Sequence, residues 1–145
     1  MINRRILLAR GAAWCSPFVL SGALSDTLAQ PLTEEQVSLT EARRLHQAGQ
    51  AILIDIREPN EYATGVAAGA ILLPMSQLSQ RVREIPADSR VPVLLICRTQ
   101  NRSSATLRAL RKQLGEQNYA HVRFVQGGMS EWAQRGWPMM PPAKP

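Results

Sequence analysis

Short, unbroken apolar runs separated by helix-patterned segments limit most strongly what this chain can become. Ala51 to Ile56 (AILIDI), Ala70 to Leu73, Val91 to Cys97 (VPVLLIC) and His121 to Val125 (HVRFV) are each long enough for one strand and too short for a helix. Thr40 is placed to cap a helix with EARRLHQA as its body, and Gly49 to stop it. Glu58 to Thr64 reads as one or two helical turns with Pro59 near the start. Met75 to Glu84 carries Leu78 and Val82 four residues apart and reads as an amphipathic helix, broken by Pro86. Ser103 to Leu114 is helical, with Ala105, Leu107, Leu110 and Leu114 on its apolar side. Gly127-Gly128 forms a tight turn before a short helix, Met129 to Arg135. Strands that are apolar throughout and alternate with helices imply an α/β fold: a parallel sheet covered on both faces. Ligands of such sheets bind beyond the carboxyl ends of the strands. Three places meet that condition: Asp55-Ile56-Arg57, Cys97 onward, and Gln126-Gly127-Gly128.

The 145 residues allow one domain of ordinary size. With two Cys and two His, the chain cannot build a four-cysteine zinc site. It contains no HExxH, Walker A or GxGxxG pattern. The formal net charge of +6 comes from basic residues scattered along the chain without aromatic interleaving. That pattern describes a mildly basic, solvated surface compatible with small anionic substrates, and no nucleic-acid partner is expected.

The first 29 residues read as an export signal. Arg4, Arg5 and Arg10 form a basic start, Gly11 to Leu24 is uncharged and mostly small or apolar, and Ala29 follows at a plausible cleavage position. Arg4-Arg5 before Ile6-Leu7-Leu8 fits a weak twin-arginine signal, and a Sec signal explains the same residues equally well. A non-cleaved anchor is the alternative, disfavoured because the apolar stretch is short and contains Pro17. Cys15 follows Trp14 where a lipoprotein signal wants a small residue. The expected location is therefore periplasmic, with membrane contact only through the signal. Residues 30–35 read as a linker and 139–145 as an irregular, Pro-rich tail. Cleavage leaves Cys97 as the single cysteine, which excludes an internal disulfide or a CxxC redox pair and marks the thiol as reactive.

Cys97 closes the most apolar strand, and the loop Arg98-Thr99-Gln100-Asn101-Arg102-Ser103 leads into the longest helix. Such a loop can turn its backbone N–H groups toward one point, at which the helix also aims the positive end of its dipole. Arg98 and Arg102 add two charges. Surroundings of this kind favour a thiolate and would equally hold an oxyanion.

Four segments in order resemble the rhodanese sulfurtransferase family, in its single-domain form. LIDIREPNEY, with Asp55, Arg57, Glu58 and Glu61, resembles the family's strand-Asp-x-Arg-Glu segment. GVAAGAILLP matches a second segment through Gly65, Gly69, Ala70 and Pro74. CRTQNRS resembles the active-site loop C-R-x-G-x-R-S, and GGMSEWAQRGWP the terminal Gly-Gly/Trp/Gly-Pro segment. The resemblance spans residues 36–138, and it implies a five-stranded parallel sheet with helices on both faces. It also implies double displacement: Cys97 takes a sulfane sulfur from a donor such as thiosulfate, and cyanide or a thiol then removes it. On this view residues 98–103 stabilise the anions and bind the donor, Arg98 and Arg102 grip its sulfonate, and no metal or organic cofactor is needed. The partners are then small sulfur-containing anions and thiols, with a protein sulfur acceptor as a further candidate. A non-enzymatic sulfur-carrier or interaction module is the main alternative. Phosphatase or arsenate reductase chemistry is less favoured, because those loops run C-x5-R and Arg102 gives C-x4-R.

Two positions depart from the family pattern. Val66 stands where His is common and is assigned to packing. Gln100 stands where Gly is usual, so it either accepts backbone strain or marks a different loop path. Asp55 and Arg57 are expected to form a supporting ion pair rather than to touch substrate. His46 is expected in solvent, His121 at a strand start, and Trp132 and Trp137 against the core, with Trp132 a candidate border of the site.

Overall fold

The computed structural model describes residues 35–87 and 89–142. The segment expected to be an export signal, with its expected cleavage position at Ala29, most of the expected linker, and residues 143–145 lie outside the described residues. Five strands, β1 (Gln36–Val37), β2 (Ile52–Asp55), β3 (Ile71–Leu72), β4 (Val93–Ile96) and β5 (Val122–Val125), form one sheet in the order β1-β5-β4-β2-β3. Every pairing is parallel, and in the central pair Ile52 to Asp55 lie opposite Val93 to Ile96. Among the described residues no helix is long and apolar enough to cross a membrane.

Alternate residues of each strand feed two cores. Leu53, Leu94, Ile96 and Val125 pack with Leu39, Ala42 and Leu45 of α1 (Leu39–Gln47) and with Met129 and Trp132 of α4 (Gly128–Gln134). Ile54, Val93, Leu95, Cys97 and Val122 pack on the other face with Leu107 and Leu110 of α3 (Asn101–Leu114). The helices thus cover both faces, and in the central strands β2, β4 and β5 the residues are buried or half-buried whichever way they point, which is why those strands read as apolar runs. Each such side chain contributes about 1.5–3 kcal/mol on leaving water.

Several local readings need correction. β1 is a strand that no apolar run announces: two residues flanked by polar neighbours give no periodic signal, and pairing with β5 makes the strand. α1 is capped not by Thr40 but by Ser38, whose Oγ accepts the Glu41 N–H at 3.3 Å, while Thr40 Oγ1 accepts from Arg135 at 2.7 Å. Gly49, at φ +67°, follows the end of α1 as expected. Met75 to Glu84 is helical throughout but not uniformly α: only Leu78–Arg81 (α2) is, between two tighter 3-10 turns. Leu78 and Val82 still pack on the second core.

α3 begins two residues earlier than expected. Its buried stripe is Ser103, Thr106, Leu107 and Leu110, so Ala105 and Leu114 face solvent. The tail is not wholly irregular, since Met140 and Val66 exchange two backbone hydrogen bonds of 2.8 Å and Met139 packs on the first core. His46 is half-buried, and its Nε2 lies 2.8 Å from the Ala68 carbonyl. Trp132 belongs to the core rather than to the border of the site; its indole N–H donates to the Pro138 carbonyl at 3.1 Å, and Trp137 meets it edge-on.

Candidate active site

The carboxyl ends of β2, β4 and β5 converge as the sequence suggested. Cys97 is the first residue beyond β4, and its side chain alternates toward the α3 face, where it is 1% exposed. Gln100, the residue before α3, makes no side-chain cap. The Cys97 sulfur does the capping instead: the Ser103 N–H, in the helix's first turn, donates to Sγ at 3.4 Å. Ser103 Oγ lies 3.5 Å from Sγ and donates to the Gln100 carbonyl at 3.1 Å. An orphan helix amide and the dipole behind it therefore point at the sulfur, an arrangement that stabilises negative charge there. Among the loop's described amides, Ser103 is the one that reaches it. Arg98, Thr99 and Gln100 are exposed.

Gln100 has φ −144°, so no left-handed conformation is demanded of it. Of the two readings of this departure, left-handed backbone strain is the one the structure does not show. The loop's conformation is fixed from outside. The Met129 N–H donates to the Cys97 carbonyl at 2.8 Å and the Ser130 N–H to the Arg98 carbonyl at 2.9 Å. This approach needs Gly128, because a Cβ there would fall 2.0 Å from the Thr99 carbonyl oxygen and 2.5 Å from that of Cys97. The Gly-Gly pair supplies the expected turn at the carboxyl end of β5. Its second member is also the point of contact between α4 and the cysteine loop.

Arg102 does not offer the free charge expected of it. Both its terminal nitrogens donate to Glu61, at 2.6 Å each. Glu61 also accepts the Glu58 N–H at 3.0 Å, in a capping box on the 3-10 helix Pro59–Thr64. The hydrogen bonds from Arg102 hold the Glu61 carboxyl down at about 2, although partial burial opposes this. The E-P-N-E spacing was the available signal for a cap, but nothing local to it pointed 41 residues ahead to Arg102.

Asp55 and Arg57 form the supporting pair anticipated, with side chains 0% and 3% exposed. Arg57 donates to both carboxylate oxygens of Asp55, to the Glu61 and Gly65 carbonyls and to Thr64 Oγ1. Asp55→Ala would strand a buried guanidinium, and a loss of about 3–5 kcal/mol is expected in urea unfolding.

A cavity of about 410 Å³ opens beside the loop, lined by Arg57, Asn60, Glu61, Thr64, Arg98 and Ser130, with Met129 and Ala133 as its apolar wall. Among the described residues no cluster of His, Cys, Asp or Glu is arranged to hold a metal.

Residues 38–135 match the Rhodanese-like domain family. The chain belongs to that family. Relatives run along most of its length. A protein of Bacillus subtilis, YqhL, is 34% identical over 90% of this chain and 94% of its own. A sulfurtransferase of Allochromatium vinosum is 35% identical over 70% of this chain and 89% of its own. Among solved rhodanese folds, the human single-domain sulfurtransferase TSTD1 superposes with a TM-score of 0.56 at 28% identity, covering 70% of this chain and 97% of that one.

Proposed function

We propose that this rhodanese-like protein is a sulfurtransferase that carries sulfane sulfur on Cys97. Membership of the family and sulfurtransferase relatives support the activity class. The observation that carries the residue assignment is Sγ in the N-cap role of α3, with the Ser103 N–H upon it.

In the donor half-reaction the Cys97 thiolate attacks the outer sulfur of thiosulfate. The Sγ–S bond forms, the S–S bond of the donor breaks, and its electron pair leaves with sulfite. The product is a Cys97 persulfide anion, held by the Ser103 amide and the helix dipole behind it. Cyanide or a thiolate then attacks the terminal sulfur and returns Cys97. Arg98 faces the cavity without a carboxylate partner among the described residues and is the residue to bind the donor's sulfonate. Residues 1–29 direct the protein to the periplasm, and 36–138 form the transfer domain.

A second reading draws on the burial of Cys97. A persulfide this enclosed suits a carrier that releases sulfur when a protein acceptor opens the loop. Intact mass separates the two. Wild type incubated with thiosulfate is expected to gain one sulfur atom, and cyanide to remove it with formation of thiocyanate. A sulfur that cyanide leaves in place points to the carrier. No gain at all rules out thiosulfate as donor and returns the interaction-module alternative.

A further inference from the structure

The two arginines of the cysteine loop are electrostatically unequal. Arg102 is tied to Glu61 by two 2.6 Å contacts, with side chains 32% and 24% exposed. Arg57 is given to Asp55 in the same way. Arg98 is exposed, has no ion pair among the described residues, and lines the same cavity as Glu61. Both pairs place a residue on the cavity wall, Arg57 and Glu61, and among the lining residues Arg98 is the one cation without an ion pair.

We propose that Glu61 is a specificity-determining residue: by cancelling Arg102 it leaves Arg98 as the one cation facing an incoming anion. The loop then grips an anion through a single charge, which weakens binding of doubly charged oxyanions and lets the sulfite product leave. Because the Glu61 carboxyl is held at about 2, this cancellation operates across the neutral pH range. The donor named rests on the sulfurtransferase reading; the charge selection does not.

Inorganic sulfate is the probe, because it binds without reacting. Its affinity is read from sulfate-dependent Tm and from competition against thiosulfate. Glu61→Gln frees Arg102, and sulfate is expected to bind about 5-fold more tightly, a gain that fades in high KCl. The double variant Glu61→Gln with Arg102→Gln replaces the ion pair by a neutral pair and is expected to bind sulfate as wild type does. Arg102→Gln alone leaves Glu61 uncompensated and is expected to weaken sulfate, so the proposal stays testable if Glu61→Gln does not fold.

A folded Glu61→Gln that binds sulfate no better than wild type overturns the proposal and makes Glu61 a brace. So does a double variant that behaves like either single one. If wild type takes no sulfur from thiosulfate while the sulfate pattern holds, the transfer reading fails and charge selection stands. Transfer without the sulfate pattern gives the converse.

Discussion

Cys97→Ser is expected to keep the fold and lose sulfur uptake entirely. The serine oxygen can accept the Ser103 N–H in place of Sγ. The side chain is buried in the second core, so exchanging sulfur for a polar oxygen costs on the order of 1 kcal/mol, well within the stability of a domain. A hydroxyl held there has neither the acidity nor the sulfur chemistry needed to form a persulfide. Turnover should fall by roughly 10⁴ or more, the scale seen when a covalent nucleophile is removed. Urea unfolding and intact mass after thiosulfate treatment check both halves. Sulfur gained by a folded Cys97→Ser would mean that another group carries it, and the capped thiol would then be structural.

How much of this could be read in advance depended on the range over which the information acts. The four longer runs were legible because apolar burial on both faces is a local pattern, and Cys97 was legible because it ends one of them. Thr40 and Ser38 are both good caps by residue type, and the burial of Leu39 in the first core, inside the helix, goes with Ser38 as the cap. β1 could not be read because two residues carry no period and the strand exists only through Phe124 and Val125. At the site, the charges were visible but not their pairing. Arg102 looks free in CRTQNRS, and its partner Glu61 lies on the far side of β3 and β4 in the chain. The supporting pair was easier, since Asp55 and Arg57 are two residues apart at one strand end. Gly128 shows the same limit, because a turn accounts for two glycines locally and only the fold brings the cysteine loop against one of them.

That contact makes Gly128→Ala the second large effect. Gly128 has φ +61°, where an L side chain costs about 1–2 kcal/mol before any clash. The added Cβ would also meet backbone on the loop, 2.0 Å from the Thr99 carbonyl oxygen and 2.7 Å from the Arg98 carbonyl carbon, and backbone cannot swing aside as a side-chain tip can. α4 has little freedom to yield, since Met129 and Trp132 anchor it at 3% exposure each. The loop must move instead, and it stretches the bonds from Met129 and Ser130 that fix its path. The displaced Cys97 backbone then carries Sγ away from the Ser103 N–H. Gly49 separates strain from collision, because it has φ +67° and nothing within 4 Å of the added Cβ. Gly49→Ala should therefore cost about 1 kcal/mol and leave transfer intact. Gly128→Ala should cost about 3 kcal/mol or more and reduce sulfur transfer at least about 10-fold in the fraction that stays folded. Urea midpoints and single-turnover sulfur uptake on the two variants give the comparison. Equal stability losses, with transfer preserved in both, would show that the cysteine loop does not rest on the start of α4.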